Sequence, residues 1–551
     1  MIKKNLFKRN IARCATVCLS LAALTGCKGS DLGSGGDYST LSLSACVDAE
    51  SPSYSGATMC AAASSSSSAA SANSFYSYGT YYDYEEFNTE EYSAIQENAF
   101  YDVSSNPLST FAADVDTASY ANVRRLINSG YTLENIPEGS VRAEEMINYF
   151  TYDYKGPEGD EPFGVNAEIS TCPWNEDHVL LQLGLKAEDL DFSEAPPSNI
   201  VFLIDVSGSM NSQNKLPLLK SSFIMLLDNL RDEDTVSIVT YASGVRTVLD
   251  GVKVSEKQTI VDALDNLSAG GSTNGEGGID AAYELAEKNF IKKGNNRVIL
   301  ASDGDFNVGQ TSDSELSKLI KKKAKKGIFL SVLGFGMGNY SDTRMETLAD
   351  DGNGNYAYID TINEAKKVLV NELGSTMFTV AKDVKLQVEF NPVYVSEYRL
   401  VGYENRVMAA KDFDDDTKDG GEIGAGHTVT VLYEIVPAGK GSGDSGLRYQ
   451  TGTLTEEALE SNEWLTLSVR YKAPDSDTSD CLNYYIGADN YTDAPSDDFK
   501  FAACVAEFAM VLRNSEFLAD GSAEHIVETL GTLKLDDEYK REFATLADKI
   551  N

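Results

Sequence analysis

The middle of the chain alternates short, wholly apolar segments with segments of helical periodicity, and this pattern constrains the fold most. The apolar segments carry no polar face, as expected of strands that are covered on both sides. Strands joined by helices in this way indicate a mainly parallel sheet in an α/β fold. The predicted strands are Ile200–Ile204, Val236–Tyr241, Val298–Ala301, Ile328–Leu333 and Tyr356–Ile359.

Oxygen-bearing side chains follow two of these strands. The first strand ends in Asp205-Val-Ser207-Gly-Ser209, and a later strand ends at Asp303. Thr273 lies between them, on a glycine-rich loop ahead of a helix. Ligands of parallel sheets bind at the carboxyl ends of the strands. Carboxylates and hydroxyls suit Mg²⁺, Ca²⁺ or Mn²⁺ rather than zinc or copper, so a hard-cation site is predicted.

These five residues resemble the metal-ion-dependent adhesion site of the von Willebrand factor type A domain. In that family, Asp-x-Ser-x-Ser is followed by a Thr and then by an Asp after a further strand. The resemblance implies that the three hydroxyls ligate Mg²⁺ (or Mn²⁺ or Ca²⁺) directly or nearly so, while the two carboxylates act largely through waters. It also implies that a protein ligand completes the metal shell with a carboxylate. The alternative is a metal that only steadies the loops.

Segments outside the central domain also carry a resemblance. Asn106-Pro-Leu-Ser-Thr-Phe, Cys172-Pro-Trp-Asn and Gly424-Ala-Gly-His427 look like one group of bacterial lipoproteins. That group holds its von Willebrand factor type A domain between characteristic N- and C-terminal segments. The resemblance identifies the group but implies little about mechanism.

The amino terminus is typical of a lipoprotein signal rather than of folded structure. A basic start precedes the apolar run Cys14–Leu24, which is too short to span a membrane. Leu24-Thr-Gly-Cys27 resembles a lipobox, which implies cleavage after residue 26 and lipidation of Cys27. Lys28 favours the outer membrane by resemblance to enterobacterial sorting rules, so we expect a lipid-anchored protein of the cell envelope. An ordinary secretory signal is the alternative.

The charge and the cysteine content restrict the possible partners and disulfides of the protein. Acidic residues outnumber basic ones by 85 to 46, for a formal charge of −39. Removal of the signal, with five bases and no acids, lowers this charge to −44. This net charge argues against nucleic acid as a partner, because phosphate binding needs a basic surface. An oxidising compartment permits disulfides; Cys46–Cys60 is favoured, and Cys481–Cys504 stays open.

The predicted organisation is a Rossmann-like von Willebrand factor type A domain inserted in a β-sandwich. Residues that alternate in polarity, as in Val384–Phe390, flank the central domain on both sides and predict the sandwich. The predicted parts are a signal peptide (1–26), a disordered Ser-, Gly- and Tyr-rich tether (27–92), an N-terminal helical region (93–160), the sandwich (161–196 and 377–475), the central domain (197–376), and an acidic loop with C-terminal helices (476–551).

Local signals place two helices in the N-terminal region. Asp116 is predicted to cap a helix that closes at Gly130, and Ser140 is predicted to cap another.

The acidic run Asp412–Asp419 is similar to a calcium loop. Thr417 stands where an EF-hand needs glycine, so a solvated acidic turn is favoured.

Catalysis is not expected. A phosphatase of the haloacid-dehalogenase type needs a second aspartate where this chain has Ser207, and His178, His427 and His525 lie outside the central domain. We therefore expect a protein that binds a partner through its cation site. A metal-independent envelope scaffold is the alternative, and a hydrolase is less favoured.

Overall fold

A computed structural model describes most of the chain beyond the predicted tether, within the compact unit Asp83–Asn551. The predicted signal, Cys27 and residues 28–91 lie outside the described residues, as do Cys46 and Cys60. The described residues are 92, 94–113, 116–159, 161–190, 195–273, 276–304, 313–336, 342–418, 420–440, 454–474 and 476–551.

Strands within these ranges belong to three sheets. They are β1 (Tyr101–Asp102), β2 (Leu108–Ala112), β3 (Phe163–Cys172), β4 (Asn175–Ala187), β5 (Ser198–Asp205), β6 (Thr235–Tyr241), β7 (Val245–Lys253), β8 (Asn295–Ser302), β9 (Phe329–Phe335), β10 (Tyr356–Ile359), β11 (Thr379–Phe390), β12 (Val395–Val401), β13 (Gly421–Gly424), β14 (Thr428–Pro437), β15 (Glu463–Lys472) and β16 (Ser479–Gly487).

Helices cover the central sheet and form a separate layer near both ends of the described chain. They are α1 (Ala118–Asn128), α2 (Ala143–Asn148), α3 (Leu216–Leu227), α4 (Lys257–Asp265), α5 (Glu276–Lys288), α6 (Asp313–Ala324), α7 (Asp342–Asp351), α8 (Ile362–Lys366), α9 (Leu373–Met377), α10 (Glu456–Glu460), α11 (Asp497–Leu512), α12 (Ala523–Thr532) and α13 (Glu538–Ile550). None of the helices in the described residues is long and apolar enough to cross a membrane.

The central sheet confirms the predicted α/β fold. Its strand order is β10-β9-β8-β5-β6-β7, and every pair is parallel except the edge pair β6–β7. Helices cover both faces of this sheet. Successive side chains of β5 therefore pack alternately into two different cores. Val201 and Leu203 pack on one side, and Ile200, Phe202 and Ile204 pack on the other. This is why the strand is apolar throughout.

The sandwich consists of two antiparallel sheets. One has the order β1-β12-β14-β4-β3, and the other has β13-β11-β15-β16 with β2 paired to β11. The central domain lies in the sequence between β4 and β11, as the predicted insertion requires. Alternating apolar residues of both sheets share one core, including Leu181, Leu183, Val431, Tyr433, Leu386, Val388, Leu467 and Val469.

Three strands correct the predicted boundaries of the sandwich. β1 and β2 belong to the region predicted as helical, yet they pair with β12 and β11. β16 lies in the segment predicted as an acidic loop and pairs with β15 over its length. β1 has only two residues, too few to show a period. In β16, Leu482, Tyr484 and Ile486 face the sandwich core, but only Ile486 is buried, so the strand shows little of the buried periodicity on which the prediction relied.

Two predicted helix caps are wrong, and the predicted end at Gly130 is confirmed. The Asp116 carboxylate accepts a hydrogen bond from the Tyr356 backbone N–H at 3.0 Å instead of capping α1. The Ser140 hydroxyl donates to the Pro137 carbonyl at 2.7 Å, and α2 begins only at Ala143. Gly130 follows α1 with φ +89°, a conformation that favours glycine.

The cysteine pair left open by the sequence is not bonded. Cys481 is exposed on β16, whereas Cys504 is buried in α11, and both are free thiols. Cys504 belongs to an apolar core formed by α1 and α2 together with α11, α12 and α13. The N- and C-terminal helices therefore make one layer, which packs on the outer face of the sandwich through Leu180 and Leu432.

A buried arginine joins this helical layer to the central domain. The Arg124 guanidinium on α1 donates to Asp360 (Nε–Oδ2 2.9 Å) and to Glu364 (Nη2–Oε2 2.8 Å), just after β10 and in α8. It also donates to Glu542 of α13 at 3.0 Å. Tyr149 donates its hydroxyl proton to Glu364 at 2.7 Å. One cation thus holds three carboxylates from segments far apart in the sequence.

Replacing this arginine is expected to destabilise the protein strongly. Arg124→Met leaves Asp360 and Glu364 buried without their cation, which corresponds to a loss of about 3–5 kcal/mol in the free energy of unfolding. Chemical denaturation measures the loss. Lys366→Met, which removes a surface pair with Glu538, is the control and should change stability by less than about 1 kcal/mol. Equal effects of the two variants would contradict the role assigned to Arg124.

Candidate metal centre

Strand β5 places Asp205 at the carboxyl edge of the central sheet. The strand is buried along its whole length, and it lies between β8 and β6. Ile204 is opposite Ala301 of β8, and Asp205 is opposite Tyr241 of β6. The loops after β5 and β8 therefore leave the sheet side by side.

The Asp205 side chain is held by its own loop and by the neighbouring strand. Oδ1 accepts a hydrogen bond from the Ser207 backbone N–H at 2.8 Å, and Oδ2 accepts one from the Ser302 hydroxyl at 3.3 Å. Burial raises the pKa of Asp205 to about 6, against the lowering effect of the Ser207 hydrogen bonds. The carboxylate thus orients the turn that carries the serines.

The two serine hydroxyls lie next to each other. Ser207 Oγ and Ser209 Oγ are 2.9 Å apart. Ser207 is buried, whereas Ser209 is partly exposed at the surface of the loop. The pair therefore offers two hydroxyl oxygens to one point, with access from solvent on the side of Ser209.

Hydrogen bonds bring the loop of Thr273 against the first loop. Gly208 N–H donates to the Gly271 carbonyl at 3.0 Å, and Gly270 N–H donates to the Val206 carbonyl at 2.8 Å. Gly271 has φ +90°, and a Cβ there would lie 2.5 Å from Ser243 Oγ. Glycine is therefore required for this close approach. Thr273 follows two residues later and is partly exposed.

Asp303 follows β8 and is completely buried. Its Oδ2 atom accepts a hydrogen bond from Lys215 Nζ at 2.9 Å. Its Oδ1 atom is buried too and has no hydrogen-bond partner among the described residues. A carboxylate oxygen without a partner is costly in a protein interior, so this atom is suited to a cation.

The five predicted site residues thus come from three loops at the carboxyl ends of the parallel strands. This side of the central sheet is called its carboxyl edge. Their two carboxylates and three hydroxyls form a set of hard oxygen donors, which fits Mg²⁺, Mn²⁺ or Ca²⁺. No group of three or more His, Cys, Asp or Glu side chains in the described part of the chain is arranged to hold a metal. A cation at this edge would therefore depend on the hydroxyls.

Lys215 and Ser302 are site residues that the sequence did not indicate. Lys215 precedes α3, where a lysine usually faces solvent, yet it is 7% exposed. Its stem passes over Gly336, where a Cβ would lie 2.1 Å from Lys215 Cε. In the sequence, the glycine that follows β9 is the one indication that a side chain packs closely there. The tertiary structure is needed to show that this side chain is Lys215.

His427 lies between β13 and β14 of the sandwich, and the other two histidines contact carboxylates away from the candidate metal centre. His178 Nδ1 lies 2.5 Å from Glu434 Oε1 in the sandwich. His525 Nδ1 lies 2.9 Å from both carboxylate oxygens of Glu507 in the helical layer. Neither ring is available as a base for Ser207 or Ser209.

Family models match three stretches of the chain. The von Willebrand factor type A domain matches residues 199–371. A model described as von Willebrand factor matches residues 86–182. A model described as the C-terminal part of the uncharacterized protein YfbK matches residues 375–551. The three matches follow one another along the described part of the chain.

Individual relatives differ in how much of the chain they cover. The uncharacterized protein YfbK of Escherichia coli (strain K12) is 41% identical over 469 residues, which span 84% of this chain and 81% of that protein. Inter-alpha-trypsin inhibitor heavy chain H2 of Sus scrofa is 31% identical over 183 residues, or 31% of this chain and 19% of that protein. A solved von Willebrand factor type A structure from Catenulispora acidiphila aligns with a TM-score of 0.37 at 15% identity, over 65% of this chain and 82% of that one.

The acidic turn that begins at Asp412 is a separate cluster, far from β5 in the sequence. Its backbone carbonyls accept hydrogen bonds from lysines of the sandwich. Lys385 Nζ donates to the Asp415 carbonyl at 2.6 Å, and Lys472 Nζ donates to the Asp416 carbonyl at 2.9 Å. Ammonium groups thus occupy two backbone carbonyl oxygens of the turn that could otherwise bind a calcium ion.

We expect this turn to contribute nothing to cation binding. Replacement of Asp415 and Asp416 by Asn removes two carboxylates but leaves the lysine contacts to the backbone in place. Calorimetric titration with Ca²⁺ and with Mg²⁺ should give the same stoichiometry and affinity for this variant as for the wild-type chain. A loss of one bound ion would identify the turn as a calcium loop after all.

Proposed function

Since this chain belongs to the YfbK family and contains a von Willebrand factor type A domain, we propose that it is a lipid-anchored cell-envelope protein that binds a protein partner through a divalent cation. The cation, Mg²⁺ or alternatively Mn²⁺ or Ca²⁺, is held by Asp205, Ser207, Ser209, Thr273 and Asp303. The partner supplies a carboxylate to the metal.

The observation that carries this proposal is the buried Oδ1 atom of Asp303, which has no hydrogen-bond partner among the described residues. It lies at the sheet edge that also presents the paired hydroxyls of Ser207 and Ser209. Mg²⁺ takes octahedral oxygen ligands at about 2.0–2.1 Å and retains several waters. A shell built mainly from neutral hydroxyls leaves the ion electrophilic, and a carboxylate from outside can then replace a water.

Binding rather than catalysis is the function that the site chemistry supports. Ser207 occupies the position at which a phosphatase of the haloacid-dehalogenase type needs its second aspartate. His178 and His525 contact Glu434 and Glu507 instead of a serine. The site therefore lacks a nucleophile–base pair among the described residues.

A second candidate is a metal-independent scaffold of the envelope. The observation that favours it is the contact between Lys215 and Asp303, which partly neutralises the acidic edge without any metal. In this case the sandwich and the central domain would organise a complex through surfaces that do not need a cation. Removal of divalent cations distinguishes the two candidates.

Loss of one hydroxyl is expected to weaken cation binding. Ser209→Ala removes an accessible ligand oxygen, and we expect the dissociation constant for Mg²⁺ or Mn²⁺ to rise at least about 10-fold in calorimetry, since loss of an outer-shell partner already has an effect of this size. Ser212→Ala, an exposed serine three residues further along the chain, is the control and should bind like wild type. No cation binding by the wild-type chain would refute the metal site.

The same variants test the partner. Crosslinked pull-downs from membranes should lose their specific protein in EDTA and with Ser209→Ala, and retain it with Ser212→Ala. A partner set that is unchanged by EDTA would support the scaffold.

The lipid anchor is tested independently. Cys27→Ser removes the thiol that the lipobox assigns to acylation, and the described residues contain no helix able to span a membrane. We expect the variant to move from the membrane fraction to the soluble fraction on cell fractionation, with its fold unchanged by circular dichroism. Retention in the membrane fraction of a variant whose mass shows that the signal has been removed would exclude Cys27 as the anchor.

A further inference from the structure

Lys215 is fixed in the interior of the candidate metal centre by its backbone and by its packing. Its N–H donates to the Ser212 carbonyl at 3.0 Å, and its own carbonyl accepts from Leu219 N–H at 2.8 Å in the first turn of α3. These two hydrogen bonds hold the Lys215 backbone in place and so fix the point from which its side chain extends. Extending a lysine inward instead of into solvent requires a specific compensating contact.

Gly336 provides the space through which this side chain passes. A Cβ at Gly336 would lie 2.1 Å from Lys215 Cε and 2.6 Å from Lys215 Cγ, so no other residue fits without displacing the lysine. Gly336 has φ +82°, and its carbonyl accepts a hydrogen bond from the buried Tyr358 hydroxyl. The end of β9 is thus shaped around the lysine stem.

The ammonium group contacts one of the two oxygens of Asp303. Nζ lies 2.9 Å from Oδ2, and both side chains are buried. Oδ1 remains without a hydrogen-bond partner among the described residues. Asp303 is therefore divided between an internal cation on one oxygen and a free coordination position on the other.

For the residues that the structure describes, the charge balance of the site follows from these contacts. Asp205 and Asp303 contribute two negative charges, and Lys215 contributes one positive charge. A divalent cation would leave one surplus positive charge in a place that is open to solvent only on the side of Ser209 and Thr273, where net charge is unfavourable. One carboxylate from a partner restores neutrality. Without Lys215, the cation alone would already be neutralised, and a partner carboxylate would add a surplus negative charge.

We propose that Lys215 is a built-in counter-charge that weakens cation binding in the absence of a partner and makes an external carboxylate part of the stable complex. This inference rests on the proposed function, since it concerns the same site. Lys215 is thus the residue that couples cation binding to partner binding. Because such coupling is reciprocal, a carboxylate that tightens cation binding is itself bound more tightly when the cation is present.

The test is calorimetric titration of the purified full chain with Mg²⁺, in matched ionic strength with and without acetate as a carboxylate probe. Lys215→Gln is expected to bind Mg²⁺ at least about tenfold more tightly than wild type without acetate, because one like charge is removed next to the ion. Acetate should tighten Mg²⁺ binding in wild type and do so less, or not at all, in the variant.

Three further variants make the result specific. Lys215→Met should behave like Lys215→Gln, and Lys215→Arg, which keeps the charge, should retain wild-type affinity. Lys288→Gln removes the same charge from a surface pair with Asp250 in the same domain and should have no effect. Thermal melting establishes that each variant is folded, and results are compared only among folded variants.

The outcomes separate the inference from the proposed function. A wild-type chain that binds no Mg²⁺ contradicts the proposed function itself. If wild type binds Mg²⁺ and the folded charge-removal variants bind it equally well, the counter-charge role is wrong while the metal site stands. Weaker binding in those variants also overturns the inference, because it would mean that Lys215 only orients Asp303.

Discussion

Parallel hydrogen bonding of β5 with β6 and β8 is the constraint on which the candidate metal centre depends. Ile204 is opposite Ala301, and Asp205 is opposite Tyr241, so the strands end at one level. In a strand, a shift of one residue turns every side chain to the other face. Such a shift in β5 would exchange its two apolar faces and carry Asp205 away from Ser302. The observed register of β5 with β6 and β8 therefore fixes the site.

The parts of the site that are local in sequence could be predicted from it. Asp205, Ser207 and Ser209 follow a recognisable buried strand, and the spacing to Thr273 and Asp303 fits a resemblance to a known domain. Lys215 could not be predicted, because a lysine before a helix is ordinarily solvated. Its inward course depends on Gly336, which is distant in sequence and near only after β9 has paired with β8.

The wrong predictions about the fold also result from contacts between residues that are distant in the sequence. Asp116 and Ser140 are good capping residues by type, but tertiary partners compete for their side chains. Asp116 accepts a hydrogen bond from a residue 240 positions away. The union of N- and C-terminal helices in one core also depends on distant contacts, of which Arg124 and Glu542, 418 positions apart, are an example. Composition and periodicity contain no information about such pairs.

The buried ion cluster and the candidate metal centre share one edge of the central sheet. Asp360 directly follows β10, whose last residue, Ile359, is opposite Phe335 of β9. With strands about 4.8 Å apart, the three steps from β10 to β5 separate the two by roughly 14 Å. Arg124 therefore anchors to the helical layer the same edge that presents Asp205 and the serines. A partner bound at that end of the strands would be held in a fixed orientation to the helical layer, because a buried ion cluster joins this layer to the central domain.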